Sequence, residues 1–587
     1  MIFKTIHNST VQNSKLISKI WKQKAAPDQA LVDELTRELN APELIAKMLV
    51  QRGIDSSDKV KKFFNPRIGD MHDPFLMKDM DKAIERIHLA QENKEGVLIF
   101  GDYDVDGTTS VALAYSFFKD KFHTIDYYIP DRYKEGYGIS NAGIDYAKAN
   151  GLSLIIALDC GIRSVDKVEY ATSLGIDFII CDHHLPGKEL PAAAAVLDPK
   201  RSDCEYPFKE LAGCGIGLKL AQAYSQVHDL DEREYLQYLD FATLSIASDI
   251  VPIVDENRII AHFGLKIINQ QPRIGLKKLI EVSINKEELS IGDLVFYLGP
   301  RINAAGRMDD AKSAVKMLIA SDEETANEFA NELQTQNASR KIVDQKITAD
   351  FQEIIAKNPK LLERKTHVFY KEDWHKGVVG IAASRAIELY YRPTIILTKS
   401  GEGMLAGSAR SVKGFDVHEA LEKCSEHLEQ FGGHMYAAGM TMKAENLDAF
   451  REAFEKVGEE MLDEEMLTPK VYYDAEMDIA SVDAKMLSIV NKMAPFGPAN
   501  MTPVFYATGL RDDGTGKIIG KTAEHIRLNV KRSNDSLAAV GFGMAEKLEA
   551  IKKADSFEAC FQINENVFRG TTSIQLMLKD VRTTSDV

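Results

Sequence analysis

Residues 98–110 read LIFGDYDVDGTTS, an apolar run that closes on Gly101 and is followed at once by Asp102, Asp104 and Asp106. Three carboxylates on alternate residues behind a buried strand make a poor core and a good seat for a hard cation, because clustered carboxylates repel unless a positive charge lies among them. Val97 to Phe100 supplies the strand, and Gly107-Thr108 breaks the pattern before a helix. Open α/β sheets bind their ligands outside the carboxyl ends of the strands, which is where these acids fall. Taken alone, the segment has an acidic surface turn as its less favoured alternative.

The pattern recurs downstream. Leu154 to Leu158 runs into Asp159-Cys160-Gly161, Phe178 to Cys181 into Asp182-His183-His184, and Ala192 to Leu197 into Asp198-Pro199. Each run is short, apolar and uninterrupted, as expected of strands buried on both faces of a parallel sheet. Helical stretches at 140–150 and 163–173 separate them. Repeated β-α units with acids at the strand ends converge those acids on one crevice.

A chain of 587 residues implies several domains, and 45% hydrophobic residues can build substantial cores. No apolar run approaches the roughly 20 residues that cross a bilayer, and Met1 to Lys24 is polar and mixed in charge. Six cysteines without paired spacing point to free thiols, no disulfides and a cytoplasmic setting. The net charge of −16 argues against a nucleic-acid partner, since phosphate binding leaves a basic footprint. Acidic stretches at 322–332 and 459–465 account for part of that total as solvated faces. Basic residues gather around the later motifs at Arg301, Arg307, Lys376, Arg385, Arg392, Arg410 and Lys413, and this local distribution outranks the sum.

The expected organisation is α/β and multidomain. A helical region (1–75) precedes a parallel-sheet catalytic domain (76–310). A long connecting helix (311–358) leads to a second α/β domain (359–467), and a β-rich domain closes the chain (468–587). The connecting stretch has periodic apolar positions (Ala314, Met317, Leu318, Phe329, Leu333) and no proline. Past Thr468, alternating runs such as Ile526 to Val530 and Ser573 to Leu578, separated by turn signals, read as strands.

The combination DYDVDG (102–107), LDCG (158–161) and DHH (182–184) resembles the DHH phosphoesterase superfamily. Further segments fall in the order found in its RecJ branch of exonucleases specific for single-stranded DNA. They are PDRYKEGYGI (130–139), YPFKELAGCGIGLKLAQA (206–223), SDIVPIVDENR (248–258), GPRINAAGRMDDA (299–311), GSARS (407–411), FGGHMYAAG (431–439) and APFGPANMTPVF (494–505). The resemblance runs from about residue 40 to about residue 582 and implies that the second α/β domain is DHH-associated and that the C-terminal domain is an OB-like barrel, a fold that commonly binds single strands.

Asp104, Asp106, Asp159 and His183 are the candidate metal ligands. Asp249 joins them on the strength of the family's SDIVP-like segment; alone, Ser248-Asp249 could simply end a helix. Asp102 and Asp182 are read as additional ligands or as their supports. Carboxylates with imidazole suit two Mn2+ or Mg2+ ions, the histidine favouring manganese, with Asp106 or Asp159 as the bridge. The implied reaction is two-metal-ion hydrolysis of single-stranded DNA in the 5′→3′ direction to 5′-mononucleotides, in repair and recombination. By family analogy His184 contacts the phosphoryl oxygen or assists proton transfer, the alternative being a structural histidine.

For substrate binding, Ser408 and Arg410, read as a glycine-flanked turn, and Arg307 resemble a pocket for the terminal 5′-phosphate. Arg301, Asn303, His375, Gly432, Gly433 and His434 complete the candidate set. Tyr137 and Trp374 are left as packing residues. A single-strand-binding protein and a RecQ-type helicase are the candidate protein partners, with no membrane involved. Phe100 stands where the pyrophosphatase branch of the superfamily carries a histidine, and Ala409 and the FGPAN turn (496–500) depart from the family's usual glycines. Two other readings compete: a phosphodiesterase for short RNA or dinucleotides, whose members lack a C-terminal barrel, and a degenerate scaffold, whose members lose the acids retained here.

Overall fold

A computed structural model describes residues 18–308, 310–568 and 570–583, without the side chains of 567 and 568. The chain forms two compact units. One comprises Ala30–Ala338 with Asn491–Thr502; the other comprises residues 18–29, 339–490 and 503–583. The first 17 residues of the expected N-terminal helical region lie outside the described residues. Its remainder is not wholly helical: Ile20–Gln23 is a strand paired in parallel with Lys470–Tyr473.

The first unit carries a five-stranded, all-parallel sheet. Its strands are β1 (Gly96–Gly101), β2 (Thr124–Tyr128), β3 (Leu152–Leu158), β4 (Asp177–Cys181) and β5 (Ala195–Leu197), in the order β2-β1-β3-β4-β5. All six β1 residues are buried because alternate side chains enter two different cores. Val97 and Ile99 pack with Val111 and Leu113, and Leu98 and Phe100 pack with Ile144 and Ala147 on the other face. Each such side chain contributes about 1.5–3 kcal/mol on burial, so a one-residue slip in register would be costly, and the acids after each strand are thereby fixed at one sheet edge.

Helix α1 (Val105–Phe118) begins where Asp104 caps it, accepting the Gly107 N–H at 3.1 Å. Helices α2 (Gly213–Val227) and α3 (Leu239–Ser248) pack with α1 in the same core. Helices α4 (Asp255–Gln270) and α5 (Gly299–Met308) follow.

The stretch expected as one connecting helix is broken. Lys312–Leu318 ends, and α6 (Glu323–Lys357) starts afresh after Asp322, whose carboxylate accepts the Thr325 N–H at 2.8 Å and its hydroxyl at 2.9 Å. The capping capacity of Ser321-Asp322 outweighs the continuous apolar periodicity.

In the second unit, β6 (His367–Tyr370), β7 (Thr394–Lys399), β8 (Met404–Arg410), β9 (Gln430–His434) and β10 (Ala437–Lys443) form a sheet ordered β9-β10-β8-β7-β6, with α7 (Val379–Tyr390) packed on β7 and β8. GSARS is therefore the end of a strand and not a turn: Leu405 and Ala409 are core residues, and this burial holds the segment extended despite Gly407.

The C-terminal strands β11 (Phe505–Asp512), β12 (His525–Arg532), β13 (Asp535–Gly541), β14 (Phe557–Phe568) and β15 (Thr571–Thr583) run β11-β14-β15-β13-β12, and β12 pairs back with β11. That return pairing closes a five-stranded barrel of OB type.

Candidate active site

The ends of β1, β3 and β4 and the end of α3 bring the acids and histidines together. His183, only 5% exposed, places Nε2 3.1 Å from Asp159 Oδ1 and 3.7 Å from both Asp106 Oδ2 and Asp249 Oδ2. Neither ring nitrogen of His183 is hydrogen-bonded, and Asp102 Oδ2 is likewise buried and unbonded. Buried polar atoms without partners are costly, whereas an imidazole nitrogen ringed by carboxylate oxygens is a ligand set for hard-to-borderline divalent ions. Two overlapping groups meet the spacing of a cation site: Asp159, His183 and His184, and Asp106, His183 and Asp249. The residues present fit the metal.

The electrostatics say the same. Burial, and then the charges of Asp106 and Asp104, push Asp159 well above the carboxylate range. Asp249 is pushed up to about 8 by burial and by the same two neighbours. Asp104 is raised by burial and Asp106, Asp102 by burial and Asp104. Burial holds His183 below its ordinary value, as suits a neutral ligand.

Asp106 is anchored by backbone. Its oxygens accept the N–H groups of Gly213 and Cys214 at the start of α2, at 2.7 and 2.8 Å, and the Ser245 hydroxyl from α3 at 2.7 Å. A helix N-terminus thus faces the cluster and stabilises negative charge there. Only glycine fits at 213, where a Cβ would come 2.7 Å from Cβ of Asp159. Asp159 itself adopts φ +59°, a conformation uncommon for any residue but glycine and held here by its N–H bond to the Cys181 carbonyl at 2.9 Å.

Asp182 is heavily hydrogen-bonded. One oxygen accepts the Ile162 N–H at 2.9 Å; the other accepts the N–H groups of His183 and His184 at 2.8 and 3.2 Å and lies 2.7 Å from His184 Nδ1. It shapes the histidine turn, which is the supporting role of the two read from sequence. Tyr137, set aside from sequence as a packing residue, has its hydroxyl 3.2 Å from the Asp159 carbonyl oxygen and 3.2 Å from His184 Nε2. Its position between Gly136 and Gly138, both at positive φ, was the available signal.

Arg301 does not present a free guanidinium. It is 6% exposed and donates to the Tyr297 carbonyl, the Ser283 carbonyl and Gln334. Asn303 and Arg307 lie further along α5, whose Gly306 abuts the Tyr103 carbonyl between Asp102 and Asp104.

In the second unit, Ser408 and Arg410 project from one face of β8, and the Arg410 guanidinium donates to the Ser408 hydroxyl at 2.7 Å. Both lie against Gly380 in the first turn of α7, where a Cβ would meet Arg410 at 2.9 Å and Ser408 at 3.0 Å. The register runs Ser408–Gly439–Gly432 and Arg410–Ala437–His434 across β8, β10 and β9. Gly433, within β9, takes φ +147°. His375 braces the turn that precedes α7, its Nδ1 accepting the Gly377 N–H at 3.1 Å. An arginine, a hydroxyl and a helix N-terminus are groups of the kind that can cradle an anion.

Comparison with known proteins matches three domains along the chain. Residues 96–246 match the DHH family N-terminal domain, 363–460 the DHHA1 domain and 473–580 the RecJ OB domain. The fold and site thus define a DHH-type phosphoesterase with its associated domain and an OB barrel.

The chain is 36% identical over 571 residues to the single-stranded-DNA-specific exonuclease RecJ of Bacillus subtilis, covering 96% of this chain and 71% of that one. It is 32% identical to RecJ of Escherichia coli, covering 94% and 98%. It belongs to the RecJ family.

Crystallographic RecJ from Thermus thermophilus in complex with Mn2+ shares the fold, with a TM-score of 0.81 at 23% identity, covering 96% of this chain and 79% of that one. A manganese-bound exonuclease RecJ superposes at 0.57 with 28% identity, covering 66% and 96%. Among the described residues, no helix is long and apolar enough to cross a membrane, and all six cysteines are free and buried.

Proposed function

We propose that this chain is a metal-dependent exonuclease that degrades single-stranded DNA from its 5′ end to 5′-mononucleotides, in DNA repair and recombination. The observation that carries the reading is the buried, hydrogen-bond-free imidazole of His183 within 3.7 Å of carboxylate oxygens from Asp106, Asp159 and Asp249. Asp104, Asp106, Asp159, His183 and Asp249 would hold two divalent ions, with Asp102 beside them. Bound there, such ions activate a water, neutralise phosphoryl charge and stabilise the departing oxygen.

The chain's own groups supply the rest. The α2 N-terminus and Ser245 keep Asp106 oriented, so the ligand set is preorganised. Burial alone would lower His184, but its hydrogen bond to Asp182 and that residue's charge raise it to about 9, leaving a cationic donor at the crevice. In this reading its Nε2–H donates to a phosphoryl oxygen. The Ser408–Arg410 cradle takes the terminal 5′-phosphate, with His434 as a further hydrogen-bonding group. Cleavage on the 3′ side of the first nucleotide leaves a shortened strand that again begins with a 5′-phosphate, so one cradle serves every cycle. The barrel would hold the strand by stacking and backbone contacts.

The setting is the cytoplasm, which the unpaired thiols support. A single-strand-binding protein and a RecQ-type helicase would present the strand. Digestion of single-stranded DNA, RNA and dinucleotides with Mn2+ tests the substrate class. Mononucleotide release from DNA supports the reading; preferential turnover of dinucleotides overturns it.

A further inference from the structure

The loop that follows Asp249 is braced by a segment far away in sequence but in the same compact unit, residues 491–502. Asp249 ends α3; Ile250 takes φ +59° and is 63% exposed; Val251 to Val254 then lead into α4. A β-branched residue at that φ is held there by its surroundings.

Two sets of contacts fix the loop. From α4, the buried Asn257 amide donates to the Pro252 carbonyl at 3.0 Å and the Glu210 carbonyl at 2.6 Å. From the remote segment, the Pro498 carbonyl accepts the Ile253 N–H at 2.8 Å, and Gly497 packs so closely on Ile253 that a Cβ there would come within 2.5 Å of Cγ1.

The segment is itself tied down. Asn500, 1% exposed, donates its amide to the carbonyls of Met493 and Pro495, both at 2.9 Å, while Gly497 and Asn500 exchange backbone bonds. Arg258, one turn into α4 and 5% exposed, donates to the carbonyls of Met493, Ala494 and Pro495 and, through two nitrogens, to that of Phe63, whose ring it covers at 3.7 Å. Among the described residues no carboxylate forms an ion pair with it. A buried arginine spent wholly on carbonyls has a geometric role: the planar fork ties together strands of chain that have no regular structure in common.

We infer that Arg258 and Asn500 are positioning residues for the metal centre, acting through the 491–502 segment and Ile253 to hold Asp249 where it meets His183. Lysine at 258 keeps the charge but cannot span four carbonyls. This rests on the metal-centre reading above, and the test separates the two.

Mn2+ affinity of the metal-free protein is measured by electron paramagnetic resonance of the free ion, alongside thermal melting. The proteins compared are wild type, Arg258→Lys, Asn500→Ala and Ile87→Ala; the last opens the same unit's core at a site that bears on no ligand. Arg258→Lys and Asn500→Ala are expected to weaken Mn2+ binding by about tenfold or more, with turnover recovered at high Mn2+, while Ile87→Ala binds as wild type does. Unchanged affinity in both variants, or a loss equal to that of Ile87→Ala at equal melting temperature, overturns the inference. Failure of the wild type to bind Mn2+ overturns the metal-centre reading and this inference with it.

Discussion

His184 Nδ1 lies 2.7 Å from Asp182 Oδ1, so the third residue of the triplet is held by the first, while His183 between them reaches the carboxylate cluster. Adjacent histidines are thereby given opposite charge states: His183 is held low by burial, and His184 is raised to about 9 despite its burial because Asp182 favours the imidazolium. For a raised histidine, the stabilisation is full below the unfolded value of about 6.5 and is lost as pH climbs through the folded value. In metal-free protein, NMR titration of His184 should show a midpoint near 9. Asp182→Asn should move it toward 6.5 or below, and an unmoved midpoint would detach His184 from Asp182.

Carboxylates of the cluster are raised as well, so their linkage has the same sign. Asp159 and Asp249 bind protons more tightly folded than unfolded, Asp249 with a value of about 8. Stability of the metal-free protein therefore falls as pH rises from the ordinary carboxylate range through about 8. Scanning fluorimetry in chelator should show the melting temperature dropping across that window, and Mn2+ should flatten the dependence. Asp159→Asn should raise the metal-free melting temperature by about 2 °C or more while removing the response to Mn2+. A lower melting temperature would show that Asp159 is not repelled by its neighbours.

Gly380 tests the anion cradle without removing any of its donors. Gly380→Ala puts a methyl 2.9 Å from the Arg410 guanidinium and 3.0 Å from the Ser408 hydroxyl, so the arginine must move. Both Gly380→Ala and Arg410→Ala should raise KM for 5′-phosphorylated strands by about tenfold, as the loss of one charge-assisted contact implies. They should change KM for 5′-hydroxyl strands far less. Equal effects on both ends would place the cradle elsewhere on the substrate path.

Strand runs ending in acids made the parallel sheet legible, because Val97 to Phe100 and Leu154 to Leu158 are apolar without interruption, and only double-sided burial demands that. The cluster of Asp106, Asp159, His183 and Asp249 followed from the same rule together with the family motifs. What escaped was decided by long-range packing. Arg301 reads as a substrate-binding residue until its donors are seen to go to the carbonyls of Ser283 and Tyr297 and to Gln334. GSARS reads as a turn until the core claims Leu405 and Ala409. Asp182 reads as ligand or support, and only the fold brings the N–H groups of Ile162, His183 and His184 onto its carboxylate. Tyr137 is an isolated aromatic in sequence and a neighbour of His184 in space.

The most direct measurement follows a single-stranded oligonucleotide carrying a 5′-phosphate, labelled at one end or the other, with chelated and Mn2+-restored protein. The expected result is no cleavage in chelator, release of the 5′-terminal nucleotide as the first product once Mn2+ is restored, and none with Asp159→Asn. Cleavage without metal, first release from the 3′ end, or full activity of Asp159→Asn would contradict it.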